Sequence, residues 1–277
     1  MGTVFSFDVR GTPTPAVARA LREAVAWLHH VDALFSTYRP DSAISRLERG
    51  ETTVERCPPE VGEVLRLCAQ AEAATAGWFS VRAGGRLDPS GLVKGWAVER
   101  AADILHAAGA RDLCVNGGGD LQLHGEAAPG APWKVGIADP ADPGRLLTVV
   151  TGAGTGPWAV ATSGTAERGC HILDPRTGRP PQGLLSATVV GPSLTWADVY
   201  ATAVFARGAT EEGRPLTVDG YEVLTVTNDS RLHGGAECAE YQAPMRRSCS
   251  APARAGSGGH GVRADSVWRW RVARRAR

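Results

Sequence analysis

The 277-residue sequence predicts a layered α+β fold. Three observations carry that expectation. Helical periodicity is gathered in the first 108 residues, short apolar runs divided by Gly, Pro, Asn and Asp are gathered after residue 112, and one further helical stretch interrupts those runs near residue 200. The regular strand–helix alternation of a dinucleotide-binding sheet is not there. At 43% hydrophobic and 21% charged, the chain has the balance of a globular protein with enough apolar sequence for a core.

Taken in order, residues 4–9 alternate as a strand does. Thr14 followed by Pro15 reads as an N-cap and first-turn proline, and Val17, Leu21, Val25, Leu28 and Val31 mark the buried stripe of a long helix. A polar loop, Ser36 to Ser42, follows. A second helix starts at Pro59 and fades at Gly77. The densest glycine region, Ala83 to Gly95, leads into a helix over 92–108 that Gly109 stops. Strands are expected at 112–116, 133–138, 146–150, 157–162, 169–173, 185–190 and 221–227, with a helix over 196–207.

Past Gln242 the composition turns to Pro, Gly, Ser and Arg with nothing to bury. Residues 1–241 are therefore expected to form the domain and 242–277 a disordered tail. Nine arginines and one acid fall in that tail, so the body is net acidic although the whole chain has a formal charge of +1. Such a balance gives no basic field for nucleic acid. Trp268-Arg-Trp-Arg271 could stack on bases or dip into an anionic membrane, against the plainer reading of a solvated appendage. No run approaches the roughly 20 apolar residues of a membrane span. Six scattered cysteines without a CxxC pair suit a reducing compartment, and the opening MGTVFSFDVR shows no leader pattern, so a cytoplasmic location is expected.

Four segments carry candidate chemistry. Leu87-Asp-Pro-Ser-Gly-Leu-Val-Lys-Gly95 sets a carboxylate, a glycine turn and a lysine before a helix whose first amides attract anions. It lacks Walker spacing, and a purely structural helix start explains it as well. Val115-Asn-Gly-Gly-Gly-Asp120 lets backbone approach a ligand closely, or simply turns a strand. Ala161-Thr-Ser-Gly-Thr165 leads to Cys170-His-Ile-Leu-Asp-Pro-Arg-Thr-Gly178, where His171 is either functional or a satisfied structural histidine. Cys170 and His171 as strand neighbours point to opposite faces and cannot pair as nucleophile and base. In Thr195-Trp-Ala-Asp-Val-Tyr-Ala-Thr202, Asp198 and Thr202 share a helix face. Their oxygens suit a hard cation such as Mg²⁺, while Thr195 and Asp198 also read as a variant capping box.

In order and wording these motifs resemble the ApbE family of FAD:protein FMN transferases over residues 1–227. The resemblance rests on Met-Gly-Thr, Ser-Thr-Tyr-Arg-Pro-Asp-Ser, Asp-Pro-Ser-Gly-Leu-Val-Lys-Gly, Asn-Gly-Gly-Gly-Asp, Thr-Ser-Gly, His-Ile-Leu-Asp-Pro-Arg-Thr-Gly and Ala-Asp-Val-Tyr-Ala-Thr-Ala. It implies helices packed on a mainly antiparallel sheet. It also implies Mg²⁺-dependent transfer of FMN from FAD to a Ser or Thr of an acceptor flavoprotein, with AMP released. Acceptors in that family carry an Asp-x-x-Ser/Thr-Gly-Ala-Thr-like segment. The alternatives are an FAD pyrophosphatase and a non-catalytic flavin carrier. By that resemblance the metal would be held by Gly91, Asp198 and Thr202. Met1, Tyr38, Phe79, Ser80 and Val81 would line the flavin pocket, Asp88 would hydrogen-bond the cofactor and Lys94 would lie near its phosphates. His171 would be the general base, with Ile172 offering backbone contact. Between Phe79 and Leu87 this chain is shorter than the family pattern.

Overall fold

Strand β1, Phe5–Val9, pairs antiparallel with β2, Leu113–Gly117, although four α-helices lie between them in the chain. In this computed structural model, residues 2–12, 14–142, 144–152, 156–165, 172–209 and 218–234 are described, together with the backbone of 268–272. The intervening helices are α1 (Pro15–Phe35), α2 (Ala43–Glu48), α3 (Pro59–Ala74) and α4 (Ser90–Ala107). The remaining strands are β3 (Asp120–His124), β4 (Glu126–Ala128), β5 (Ala131–Pro132), β6 (Lys134–Ala138), β7 (Leu146–Thr151), β8 (Trp158–Gly164), β9 (Leu184–Gly191), β10 (Glu222–Thr227), β11 (Leu232–His233) and β12 (Trp268–Val272). Helix α5, Leu194–Arg207, separates β9 from β10.

Eight strands form one sheet in the order β11-β10-β9-β8-β3-β2-β1-β12, and every pairing in it is antiparallel. Helices α4 and α5 lie on it and α1 lies on α4, as the main core shows: Leu92, Leu105, Leu113, Val115, Ala161 and Leu194 are fully or almost fully buried together. Each such leucine or valine side chain contributes about 1.5–3 kcal/mol. A second cluster, Cys114, Leu123, Trp133, Ile137, Val150, Trp158 and Val160, covers the other face beneath the β6–β7 hairpin. Burial pushes the thiols of Cys68 and Cys114 up to about 12, so both behave as small apolar side chains.

Several expectations meet the structure directly. Thr14 caps α1 by accepting from the Val17 N–H at 3.2 Å, with Pro15 in its first turn. The buried stripe of α1 is displaced, however: Ala20, Ala24, Leu28, Val31, Leu34 and Phe35 are buried, while Val17, Leu21 and Val25 flank them half-buried. Small residues on this face allow α4 to come close, and Trp27 Nε1 donates to the Ala97 carbonyl at 3.1 Å. Helix α2, capped by Ser42, and strand β3 were not anticipated.

Other differences concern the second half. Ile172 and Leu173, expected to end a strand over 169–173, are irregular and lead into a turn closed by the Gly178 N–H on the Asp174 carbonyl at 2.8 Å. The cap of α5 is Ser193, which accepts from the Trp196 N–H, so the capping reading of Thr195 and Asp198 is overturned. Within the tail expected to be disordered, the backbone of 268–272 pairs with β1 as the edge strand β12. Among the described residues, no helix is long and apolar enough to cross a membrane.

Candidate active site

Helices α4 and α5 cross closely because residue 95 has no side chain. A Cβ there would stand 2.5 Å from the Leu194 carbonyl oxygen and 2.9 Å from Asp198 Cβ. With that space empty, the Gly95 N–H reaches Asp198 Oδ2 at 3.0 Å. This N–H is the ordinary helical partner of the carbonyl four residues back, that of Gly91. The crossing therefore fixes a buried carboxylate against the first turns of α4 and shares the hydrogen that the Gly91 carbonyl would otherwise hold alone.

A second carboxylate arrives from the sheet. Gly118 and Gly119, both at positive φ, make the two-residue turn between β2 and β3, and Asp120 follows at once. Its Oδ1 accepts from the Thr162 N–H on β8 at 3.0 Å. Its Oδ2 pairs with Lys94 Nζ, which also lies 3.5 Å from Asp198 Oδ1. Lys94 is 19% exposed, whereas Asp120 and Asp198 are almost fully buried. Burial pushes the Asp198 carboxyl upward, with the Asp120 charge acting in the same direction, while Lys94 and the Gly95 N–H pull it back. Two carboxyl groups meet one lysine in a low-dielectric place, and a further cation there would favour the ionised form of Asp198.

Thr202 stands one turn beyond Asp198 on α5, its hydroxyl 3.4 Å from Ser163 Oγ. A Cβ on Gly91 would lie 3.4 Å from Thr202 Oγ1, so the start of α4 and the middle of α5 face each other there as well. All the donors gathered here are oxygens. Such a set could hold a hard divalent cation that keeps part of its shell for water or phosphate. Among the described residues no cluster of three His, Cys, Asp or Glu side chains that could hold a metal forms.

Gly91, Lys94, Ser163, Asp198 and Thr202 line a cavity of about 1090 Å³. That exceeds the roughly 300–1,000 Å³ typical of small-ligand sites and suits a dinucleotide. Of the residues expected at the site, Tyr38, Phe79, Ser80, Asp88, Gly91, Lys94, Ile172, Asp198 and Thr202 all line it. Tyr38 is 79% exposed, as a side chain at the mouth is. Asp88 Oδ1 accepts from the Ser90 N–H at 3.0 Å at the start of α4. Val81 packs half-buried against the main core next to this wall, and its carbonyl accepts from the Asp88 N–H at 2.8 Å. Met1 and His171 fall outside the described residues.

Sequence reasoning missed Asp120 as a member of the site, although the Asn-Gly-Gly-Gly-Asp motif contains it. It also missed Glu99, whose Oε2 accepts from Ser193 Oγ and the Thr195 N–H, each at 2.8 Å, and from Thr195 Oγ1 at 2.5 Å. Glu99 thereby ties the start of α5 to α4 and orients the helix that carries Asp198.

The family model described as "ApbE family" matches residues 1–86 and 80–224. The chain is 30% identical over 231 residues to the FAD:protein FMN transferase of Rhodobacter capsulatus, covering 76% of this chain and 39% of that protein. It spans about two fifths of the length of the curated relatives it matches. Its fold is similar to that of the apo form of Pseudomonas stutzeri flavinyl transferase ApbE, with a TM-score of 0.69, 26% identity and coverage of 85% of this chain and 92% of that one. It is similar in fold to the Flavin Transferase ApbE from Vibrio cholerae, with a TM-score of 0.69, 24% identity and coverage of 85% and 94%.

Proposed function

The chain belongs to the ApbE family, and from that premise we propose that it is an FAD:protein FMN transferase that moves the FMN half of FAD to a Ser or Thr hydroxyl of an acceptor flavoprotein. The observation that carries this reading is the convergence of Lys94, Asp198 and Thr202 on the wall of one dinucleotide-sized cavity, with Asp120 paired to Lys94. In the reaction, a bond forms between the acceptor oxygen and the FMN phosphorus. The bond from that phosphorus to the bridging oxygen breaks, AMP leaves with that oxygen and its electron pair, and the hydroxyl proton passes to a base.

His171 is the base in this reading. Neutral imidazole near pH 7 suits that role. Gly164 and Ile172, on either side of residues 166–171, line the cavity and support the assignment. Tyr38, Phe79, Ser80 and Ile172 would enclose the flavin ring and Asp88 would hydrogen-bond the cofactor. Lys94, paired with Asp120 and near Asp198, would stand beside the phosphates.

Mg²⁺ fits the residues at the crossing. Asp198 and Thr202 offer hard oxygens, the Gly91 carbonyl shares its helical hydrogen with Asp198, and the paired carboxylates already draw one cation between them. Bound by Gly91, Asp198 and Thr202, the ion would neutralise pyrophosphate charge and polarise the phosphorus.

Incubation with FAD and Mg²⁺ together with an acceptor protein tests the proposal. AMP should accumulate in step with flavin on the acceptor and stop on adding a chelator. AMP with free FMN and an unlabelled acceptor would indicate the pyrophosphatase, and absence of AMP would overturn the catalytic reading.

A further inference from the structure

We propose that Arg86 is a binding residue for the pyrophosphate of the dinucleotide, a role that rests on the flavin reading above and deepens it. Among the described residues the cavity wall carries two cations, Lys94 and Arg86. Lys94 is committed to Asp120 and Asp198. Of the carboxylates on the same wall, Asp139 is paired with Arg145 at 2.8 Å and Asp88 receives the Ser90 N–H. Arg86 is exposed and has no carboxylate partner among the described residues.

The loop that carries it is held at both ends. The Asp88 N–H closes on the Val81 carbonyl at 2.8 Å, the Gly85 N–H on the Arg82 carbonyl at 2.8 Å, and Leu87 is buried beside Arg86. Arg82, the other arginine of this loop, is turned away to Glu48 at 3.3 Å. Among the described residues, one guanidinium therefore remains at the cavity wall with its donors uncommitted and its backbone anchored.

A dianionic pyrophosphate entering a wall that carries three carboxyl groups gains from compensation beyond the divalent cation and an already paired lysine. A planar guanidinium supplies it with parallel N–H donors matched to phosphate oxygens. When AMP departs, its phosphate gains charge, and the same donors follow that oxyanion.

The experiment titrates FAD and riboflavin, which has no phosphate, into the wild-type protein and the variants Arg86→Gln and Arg86→Lys, following flavin fluorescence with Mg²⁺ and with chelator. Loss of one charge-assisted contact to an oxyanion should weaken FAD binding to Arg86→Gln about tenfold. Riboflavin binding should be unchanged, and Arg86→Lys should recover part of the loss. Equal FAD affinity in wild type and Arg86→Gln would overturn the role of Arg86 alone, as would an equal loss for riboflavin, which would make the residue structural. Failure of the wild type to bind either flavin would overturn the flavin reading and the inference with it.

Discussion

The Gly95 N–H donates to Asp198 Oδ2 at 3.0 Å across the α4–α5 crossing, at a point where a Cβ on residue 95 would meet the Leu194 carbonyl oxygen at 2.5 Å. The obstacle is backbone and cannot rotate aside. Alanine in an unencumbered helix position is about 1 kcal/mol better than glycine. Here Gly95→Ala should instead destabilise by about 1–3 kcal/mol, the cost of overpacking. The midpoint of urea unfolding reads the sign, and a stabilised variant would show that the crossing is looser than described.

Asp120 holds Lys94 from the sheet side while Lys94 also faces Asp198. Asp120→Asn keeps the size and an acceptor for the Thr162 N–H but removes the charge. Loss of a supporting contact of this kind typically costs 10–100-fold, so kcat/KM for FAD should fall by about that range. Wild-type turnover from the Asn variant would remove Asp120 from the site.

Glu99 accepts three hydrogen bonds at Oε2 from Ser193 and Thr195. In Glu99→Ala these donors lose their partner at a part-buried helix junction. A stability loss of about 2–3 kcal/mol is expected from unsatisfied groups of this kind. Chemical denaturation checks it, and a loss below about 0.5 kcal/mol, the range of ordinary surface changes, would make the junction incidental.

His124 on β3 stacks on His106 with ring centroids 4.6 Å apart, and its Nε2 finds no hydrogen-bond partner among the described residues. Burial, with the neighbouring His106 acting in the same direction, lowers its pKa from 6.5 to about 4. Between those values the unfolded chain holds the extra proton, so this residue makes stability rise with pH through that window and fall on acidification. The loss on going from pH 7 to pH 4 approaches ~3 kcal/mol at most, at 1.36 kcal/mol per unit. His124→Phe keeps a stacked ring without a titrating group, and its unfolding free energy should depend less on pH than that of wild type. Parallel pH profiles for the two proteins would contradict this.

What the sequence made legible follows from which signals are local. Thr14 with Pro15, Gly109 after α4 and the Gly118-Gly119 turn act within a few residues, and each sits where its chemistry requires. Strand β3 was hidden because Asp120, Gln122 and His124 put polar groups on a buried face. Gln122 Oε1 accepts from the Leu194 N–H at 3.0 Å and Asp120 pairs with Lys94. Partners 26 and 72 residues away satisfy Asp120 and Gln122, and no window of sequence reveals them. The same reason separates Asp198 from the capping box it resembles: its partners are Gly95 and Lys94 on another helix, while Ser193 caps its own.

The most direct measurement is the intact mass of an acceptor protein bearing an Asp-x-x-Ser/Thr-Gly-Ala-Thr segment after incubation with FAD, Mg²⁺ and either wild type or Asp198→Ala. The account predicts an FMN-sized increase with wild type that the Asp198→Ala variant does not produce. An unmodified acceptor with wild type, or equal modification by both proteins, would contradict it.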